Sequence, residues 1–139
     1  MKYVKSCGFV VYKRNENKNL YLIIKGLNGD VGFPKGHMEA DESELETAVR
    51  ELKEETGVDV DVIQGFRHMI EYKLNNAGNT LKQAVYFLGK AKSDSIICQE
   101  SEIAEANFVP YENAMEMLTF AETKKILANA ESFLDTHLP

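Results

Sequence analysis

Glu51, Glu54 and Glu55 stand at i, i+3 and i+4 within Arg50-Glu51-Leu52-Lys53-Glu54-Glu55-Thr56-Gly57-Val58. On a helix that spacing gathers the carboxylates on one arc, where they repel one another and weaken the helix that carries them. A divalent cation removes that cost. Carboxylate oxygens are the ligands hard cations prefer, so the trio could hold magnesium, or manganese in its place. A solvated acidic face would show the same spacing, and the surrounding residues must decide between the two.

The helix itself is legible. Asp41 is expected as its N-cap, with Glu44 reaching back as the third residue of a capping box. The helix then runs to Thr56, and Gly57 supplies a left-handed C-cap. Leu45, Ala48, Val49 and Leu52 form one apolar stripe, which is core rather than chemistry. The glutamate arc falls about 120° from it, neither buried nor fully turned to water.

Just before the helix comes Phe33-Pro34-Lys35-Gly36-His37. Pro34 and Gly36 impose an unusual backbone path there. Lys35 offers a point charge for a phosphate. His37 could donate to a phosphate oxygen or act as an acid. A lone histidine is commonly structural, but its place between Lys35 and the acidic helix favours a functional role.

Gly36 to Val58 resembles the Nudix box, Gly-x5-Glu-x7-Arg-Glu-U-x-Glu-Glu-x-Gly-U, where U is a bulky aliphatic residue. The matching positions are Gly36, Glu42, Arg50, Glu51, Leu52, Glu54, Glu55, Gly57 and Val58, without a gap. The resemblance implies an α/β fold, an α/β/α sandwich around a mixed sheet, with the box as a loop–helix–loop beside it. It also implies magnesium-dependent hydrolysis of nucleoside diphosphates linked to another moiety. Glu51, Glu54 and Glu55 would be metal ligands, Glu54 and Glu55 the firmest, and Gly36 would lend its carbonyl. Arg50 would pair with Glu42 or Glu51 and orient it.

The flanks are similar to the asymmetric diadenosine tetraphosphate hydrolases of that family. Pro34-Lys35-Gly36-His37-Met38-Glu39, Gly65-Phe66-Arg67, Tyr72, Lys82, Val85-Tyr86-Phe87, Glu102, Phe108 and Phe120 follow their order and spacing. This similarity implies cleavage to ATP and AMP. Lys35, His37 and Lys82 are then candidates for polyphosphate contacts, and Tyr86 and Phe120 for rings flanking a base. Glu102 could add a metal contact or serve as general base. One departure stands out: relatives often carry a tryptophan where this chain has Val31, and the chain has no tryptophan at all.

A chain of 139 residues, 44% hydrophobic, suits one domain spanning 1–139. The formal net charge of −6 argues against an extended nucleic-acid footprint. It is compatible with a small nucleotide, because a bound metal inverts the local field. No apolar run approaches a membrane span, and no signal-peptide pattern is visible at the N-terminus. Cys7 and Cys98 are expected to be reduced. A cytoplasmic enzyme with a small-molecule nucleotide substrate and no membrane partner is the expectation; the sequence says nothing of oligomeric state.

Around the helix, strands are expected over 2–12, 20–24, 58–62, 66–74 and 80–91, with Asn75 to Asn79 as a hairpin turn. Residues 96–105 read as a short strand and then an acidic loop, and 107–109 as a last strand. A helical turn covers 112–118. Thr119 is expected to cap a final helix, with Glu122 in a second capping box and Ile126, Leu127, Ala130, Phe133 and Leu134 on its apolar face. Two other functions compete. One is a different Nudix pyrophosphohydrolase, acting on nucleoside triphosphates, diphosphoinositol polyphosphates or RNA 5′ ends. The other is a nucleotide-sensing Nudix domain without catalysis, which retention of every box carboxylate disfavours.

Overall fold

In the computed structural model, which describes residues 2–74 and 80–137, the first strand is the hub. β1 (Lys2–Asn15) pairs in parallel with β6 (Thr80–Ala91) from Lys2 to Tyr12. Its other edge is shared. Ser6 to Gly8 pair with β4 (Lys35–His37), and Tyr12 to Asn15 pair with β2 (Lys18–Gly26), both antiparallel. The sheet therefore forks along β1. Glu16 and Asn17, both at positive φ, make the tight turn between β1 and β2.

The remaining strands extend the sheet on both sides. β5 (Val60–Leu74) is antiparallel to β6. On the other side, β3 (Val31–Gly32) and β7 (Ile103–Pro110) are antiparallel to β2. The expected strands 58–62 and 66–74 are one element, interrupted by a register shift between Val62 and Arg67 where Gly65 takes φ 94. No strand begins at Ile96; pairing with β2 starts only at Ile103. The expected turn at Asn75 to Asn79 lies outside the described residues.

Alternation along β1 builds two cores. Cys7, Phe9 and Val11 face α1 (Glu44–Thr56), meeting Ala48, Leu52 and Val85. Val10 and Tyr12 face α2 (Tyr111–Met117) and α3 (Ala121–His137), meeting Tyr86, Leu88, Ala114, Ile126 and Leu127. Helices thus cover both faces of a mixed sheet, the α/β/α sandwich expected. The apolar face of α3 is as read: Ile126, Leu127, Ala130 and Leu134 are buried, and Phe133 packs edge-on against Phe66. No described helix is long and apolar enough to cross a membrane. Cys7 and Cys98 are free thiols.

Three local expectations need correction. The N-cap of α1 is Ser43, not Asp41: the Ser43 hydroxyl accepts from Glu46 N–H at 3.1 Å, and Glu46 accepts from Ser43 N–H at 2.8 Å. Asp41 instead sits in the left-handed region at φ 70. The apolar stripe is also narrower than expected. Leu45 and Val49 are exposed, while Thr47, Ala48, Leu52, Glu55 and Thr56 are the buried positions. The helix is rolled so that part of its acidic arc points inward. Finally, the Thr119 hydroxyl is committed to β3, accepting from Val31 N–H at 2.8 Å.

Candidate active site

Gly8 lets β4 lie close against β1. A Cβ there would meet Pro34 O at 2.2 Å, so only glycine permits the approach that brings Lys35, Gly36 and His37 to the fork. Antiparallel register then puts Ser6, Gly8, Lys35 and His37 on one side of the sheet and Cys7 and Gly36 on the other. Gly36 faces α1 at very short range: a Cβ would lie 2.0 Å from Glu51 Cδ. The Glu51 carboxylate is therefore seated directly on the Gly36 backbone.

Arg50 organises the acidic loop–helix. It holds Glu42 at two points, Nε to Oε2 at 2.6 Å and Nη2 to Oε1 at 3.0 Å. Those bonds, with the Glu39 N–H, hold the Glu42 carboxyl down at about 2. Nη1 donates to Glu51 at 2.9 Å and to both oxygens of Glu54 at 3.2 Å, while Nη2 also donates to His37 O at 3.1 Å. Of the partners expected for Arg50, both Glu42 and Glu51 are present, and Glu54 and the His37 carbonyl join them.

Glu55 is buried at 6% exposure and accepts from Lys35 N–H at 3.1 Å. Burial first, and Glu51 and Glu102 nearby, push its carboxyl up to about 8. Burial also raises Glu51, against the pull of Arg50. Glu102 comes from the segment that completes the end of α1: Ile97 and Gln99 N–H donate to Thr56 and Glu55 carbonyls at 2.8 and 2.9 Å. Glu102 is exposed and acts electrostatically on both Glu51 and Glu55.

A cleft of about 810 Å³ opens on the α3 side of the fork. Lys35, Glu55, Lys82, Tyr86, Glu102 and Phe120 all line it. Lys35 is lowered by burial and by Lys82. Lys82 sits over its cross-strand partner Tyr72, with Nζ 5.8 Å from the ring centre. Tyr86 is 1% exposed and edge-on to Phe33 at 5.6 Å, so it contributes to the cleft floor. Phe120 presents an open ring at 51% exposure. Glu51, Glu54, Gly36 and His37 do not line the cleft; His37 is largely exposed, and partial burial of its ring, then Lys82 and Lys35, lower it.

Among the described residues, no three histidine, cysteine or carboxylate side chains converge on one point as ligands. Arg50 accounts for part of this, because it draws Glu51 and Glu54 to itself. The donor set nevertheless fits a hard divalent cation. It is all oxygen, Glu51 is seated on the Gly36 backbone, and Glu51 and Glu55 are each raised by burial and by neighbouring carboxylates, a cost that a cation would relieve.

Some cleft residues had no functional signal in the sequence. Leu27 and Asp30 in the β2–β3 loop, Ile70 on β5 and Glu122 on α3 meet only through the fold. Tyr72 stood out only through resemblance; its registration opposite Lys82 follows from β5–β6 pairing. Val31 also lines the cleft.

Known proteins resemble this chain in sequence and in fold. The NUDIX domain family matches residues 5–130. Asymmetrical bis(5′-nucleosyl)-tetraphosphatase from Mus musculus is 28% identical over 143 residues, covering 94% of this chain and 95% of that protein. An RNA pyrophosphohydrolase from Nitratiruptor is 33% identical, over 68% of this chain and 70% of that protein. Among solved structures, a binary complex of the C. elegans Ap4A hydrolase superposes with a TM-score of 0.86 at 24% identity, covering 95% of this chain and 98% of that one. With the box, the sandwich and the sequence match in agreement, the chain belongs to the NUDIX domain family, a Nudix hydrolase with asymmetrical tetraphosphatases among its relatives.

Proposed function

We propose that residues 1–139 act as one Nudix domain that hydrolyses dinucleoside polyphosphates with magnesium, splitting diadenosine tetraphosphate to ATP and AMP. The observation that carries this reading is the single cleft that joins cations, carboxylates and an open ring: Lys35, Lys82, Glu55, Glu102 and Phe120 share its wall. A nucleotide joined to a polyphosphate needs all three. The near full-length similarity to asymmetrical tetraphosphatases supports the choice of substrate.

Glu51, Glu54 and Glu55, with the Gly36 carbonyl, would hold the metal. When bound there, magnesium neutralises phosphate charge and makes water a better nucleophile. Lys35, His37 and Lys82 bind the polyphosphate oxygens. Phe120 stacks on a base, and Tyr86 shapes the floor beneath it. Water oxygen bonds to one phosphorus, the bridging P–O bond breaks, and the leaving phosphate takes the electron pair. Glu102 is the candidate acceptor for the water proton; it lines the cleft, and its side chain has no hydrogen bond among the described residues. Arg50 keeps the box carboxylates in register.

The test is a chromatographic product assay with diadenosine tetraphosphate, beside ATP, dATP, a diphosphoinositol phosphate and a 5′-triphosphate RNA. Equal ATP and AMP, abolished by chelator and reduced by orders of magnitude in Glu54→Gln or Glu55→Gln, are expected. Turnover of a different panel member alone would replace the substrate and keep the site. Near-normal turnover in both variants would remove the carboxylates from it. Nucleotide binding with no turnover at all would revive the sensor reading.

A further inference from the structure

The outer end of the cleft is assembled from two stretches far apart in sequence. Val31 N–H donates to Thr119 Oγ1 at 2.8 Å, and Thr119 N–H donates to Val31 O at 3.1 Å. This two-way clamp brings Asp30 to the same part of the cleft as Phe120, and both line it. Asp30 is itself held in place. Its N–H donates to Asn28 Oδ1 at 3.0 Å, Asn28 Nδ2 donates to Asp30 Oδ2 at 3.2 Å, and Gly26 N–H donates to Asp30 O at 2.9 Å. Those bonds use one acceptor site of the carboxylate and leave most of them open. Glu122, in the first turn of α3, adds a second carboxylate to the wall.

A flat ring does not choose between bases, because each base has a π face. A fixed pair of acceptor oxygens does. The Watson–Crick edge of guanine carries N1–H and N2–H donors side by side, which two carboxylate oxygens can accept together. Adenine presents one amine beside an acceptor nitrogen, and that nitrogen would face the carboxylate without a proton between them. We propose that Asp30 makes the Phe120 end of the cleft select guanine over adenine, so that the preferred substrates are dinucleoside polyphosphates with at least one guanine. This rests on the reading of the cleft as a dinucleoside polyphosphate site and names the base that one end takes.

Adenosine–guanosine tetraphosphate tests it within one molecule. Asymmetric hydrolysis gives either ATP and GMP or GTP and AMP, according to which base lies at which end. One product pair should exceed the other roughly fivefold or more, the discrimination expected of a two-point base contact. In Asp30→Asn, which keeps the side-chain shape but places a donor at that edge, the ratio should fall toward one. A merely structural role for Asp30 would lower both product pairs and leave their ratio alone. Near-equal products from the unaltered protein, or an unchanged ratio in the variant, overturns the proposal. If no dinucleotide is cleaved, the proposed function fails on its own. Equilibrium binding of GTP against ATP then decides the base: a guanine preference abolished by Asp30→Asn sustains the inference, and equal affinities overturn it.

Discussion

Arg50 and Glu42 form a two-point ion pair across the acidic loop, with Nε to Oε2 at 2.6 Å and Nη2 to Oε1 at 3.0 Å. The pair closes the loop onto α1, since Glu42 also accepts from Glu39 N–H at 2.9 Å and from the Thr47 hydroxyl at 2.8 Å. Neither residue lines the cleft. Their influence passes through Glu51 and Glu54, which share the same guanidinium.

Arg50→Lys keeps the charge and loses the fork. Turnover should fall roughly ten- to hundredfold, the usual cost of removing support from metal-binding carboxylates. Magnesium titrations of activity should shift to higher concentration at the same time. An unchanged magnesium dependence would assign Arg50 to folding alone.

Gly36→Ala should remove activity while the fold survives. The new methyl would fall 2.0 Å from Glu51 Cδ, so the carboxylate must leave its seat. Circular dichroism should report a folded protein, and calorimetry should report weakened magnesium binding. Normal magnesium affinity in this variant would show that Glu51 is not a ligand.

Metal-free protein should lose stability as pH rises through neutrality. Glu55 is held at about 8 in the folded chain against an ordinary 4.5, chiefly by burial. A raised carboxyl favours the folded state while it is protonated. Its contribution is complete below about 4.5 and is lost progressively as pH climbs to about 8, because the unfolded chain ionises first. The melting temperature without metal should therefore fall between pH 5 and 8, and magnesium should restore it most at the alkaline end. Glutamine at position 55 should flatten that slope.

Glu44 works in the opposite window. Arg67, bonding at 2.9 Å to both of its oxygens, and Lys5 at 3.0 Å hold its carboxyl down at about 2. This stabilisation is full above the ordinary 4.5 and disappears as pH falls toward 2. Both cations are partly exposed, so Glu44→Gln should cost about 1 kcal/mol at neutral pH after solvent screening. Urea unfolding at pH 7 and pH 3 would measure it, and the difference between variant and parent should shrink at the lower pH.

Lys82→Ala should raise KM about tenfold and change kcat less, as expected for a phosphate contact made in the ground state. The same substitution carries an independent signature. Lys82 helps to lower His37 from its ordinary 6.5, so its removal should move the His37 titration upward in NMR. An upward shift without a change in KM would place Lys82 near His37 but away from the substrate.

The acidic helix, its glycine cap and the apolar face of α3 were legible from sequence because each is a local pattern. Periodicity placed Glu51, Glu54 and Glu55 on one arc, and Gly57 ended the helix at φ 71 as read. The N-cap was misplaced by two residues because Asp41 and Ser43 are both good capping residues, and only the loop conformation chooses between them. How far α1 rolls on the sheet was likewise beyond reach. Leu45 and Val49 look as apolar as Leu52, yet they face outward while Glu55 is buried, because the packing of α1 against the sheet and not its own periodicity sets the roll. The cleft depended on tertiary structure most of all. Asp30 in the β2–β3 loop, Tyr72 on β5, Lys82 on β6 and Phe120 before α3 are far apart in the chain, and no local pattern relates them. Strand register sets Tyr72 opposite Lys82, and two hydrogen bonds between Val31 and Thr119 bring the ends of the cleft wall together. Chemistry written as spacing along one helix can be read from the chain; chemistry that needs surfaces from several elements exists only once long-range pairing has been made.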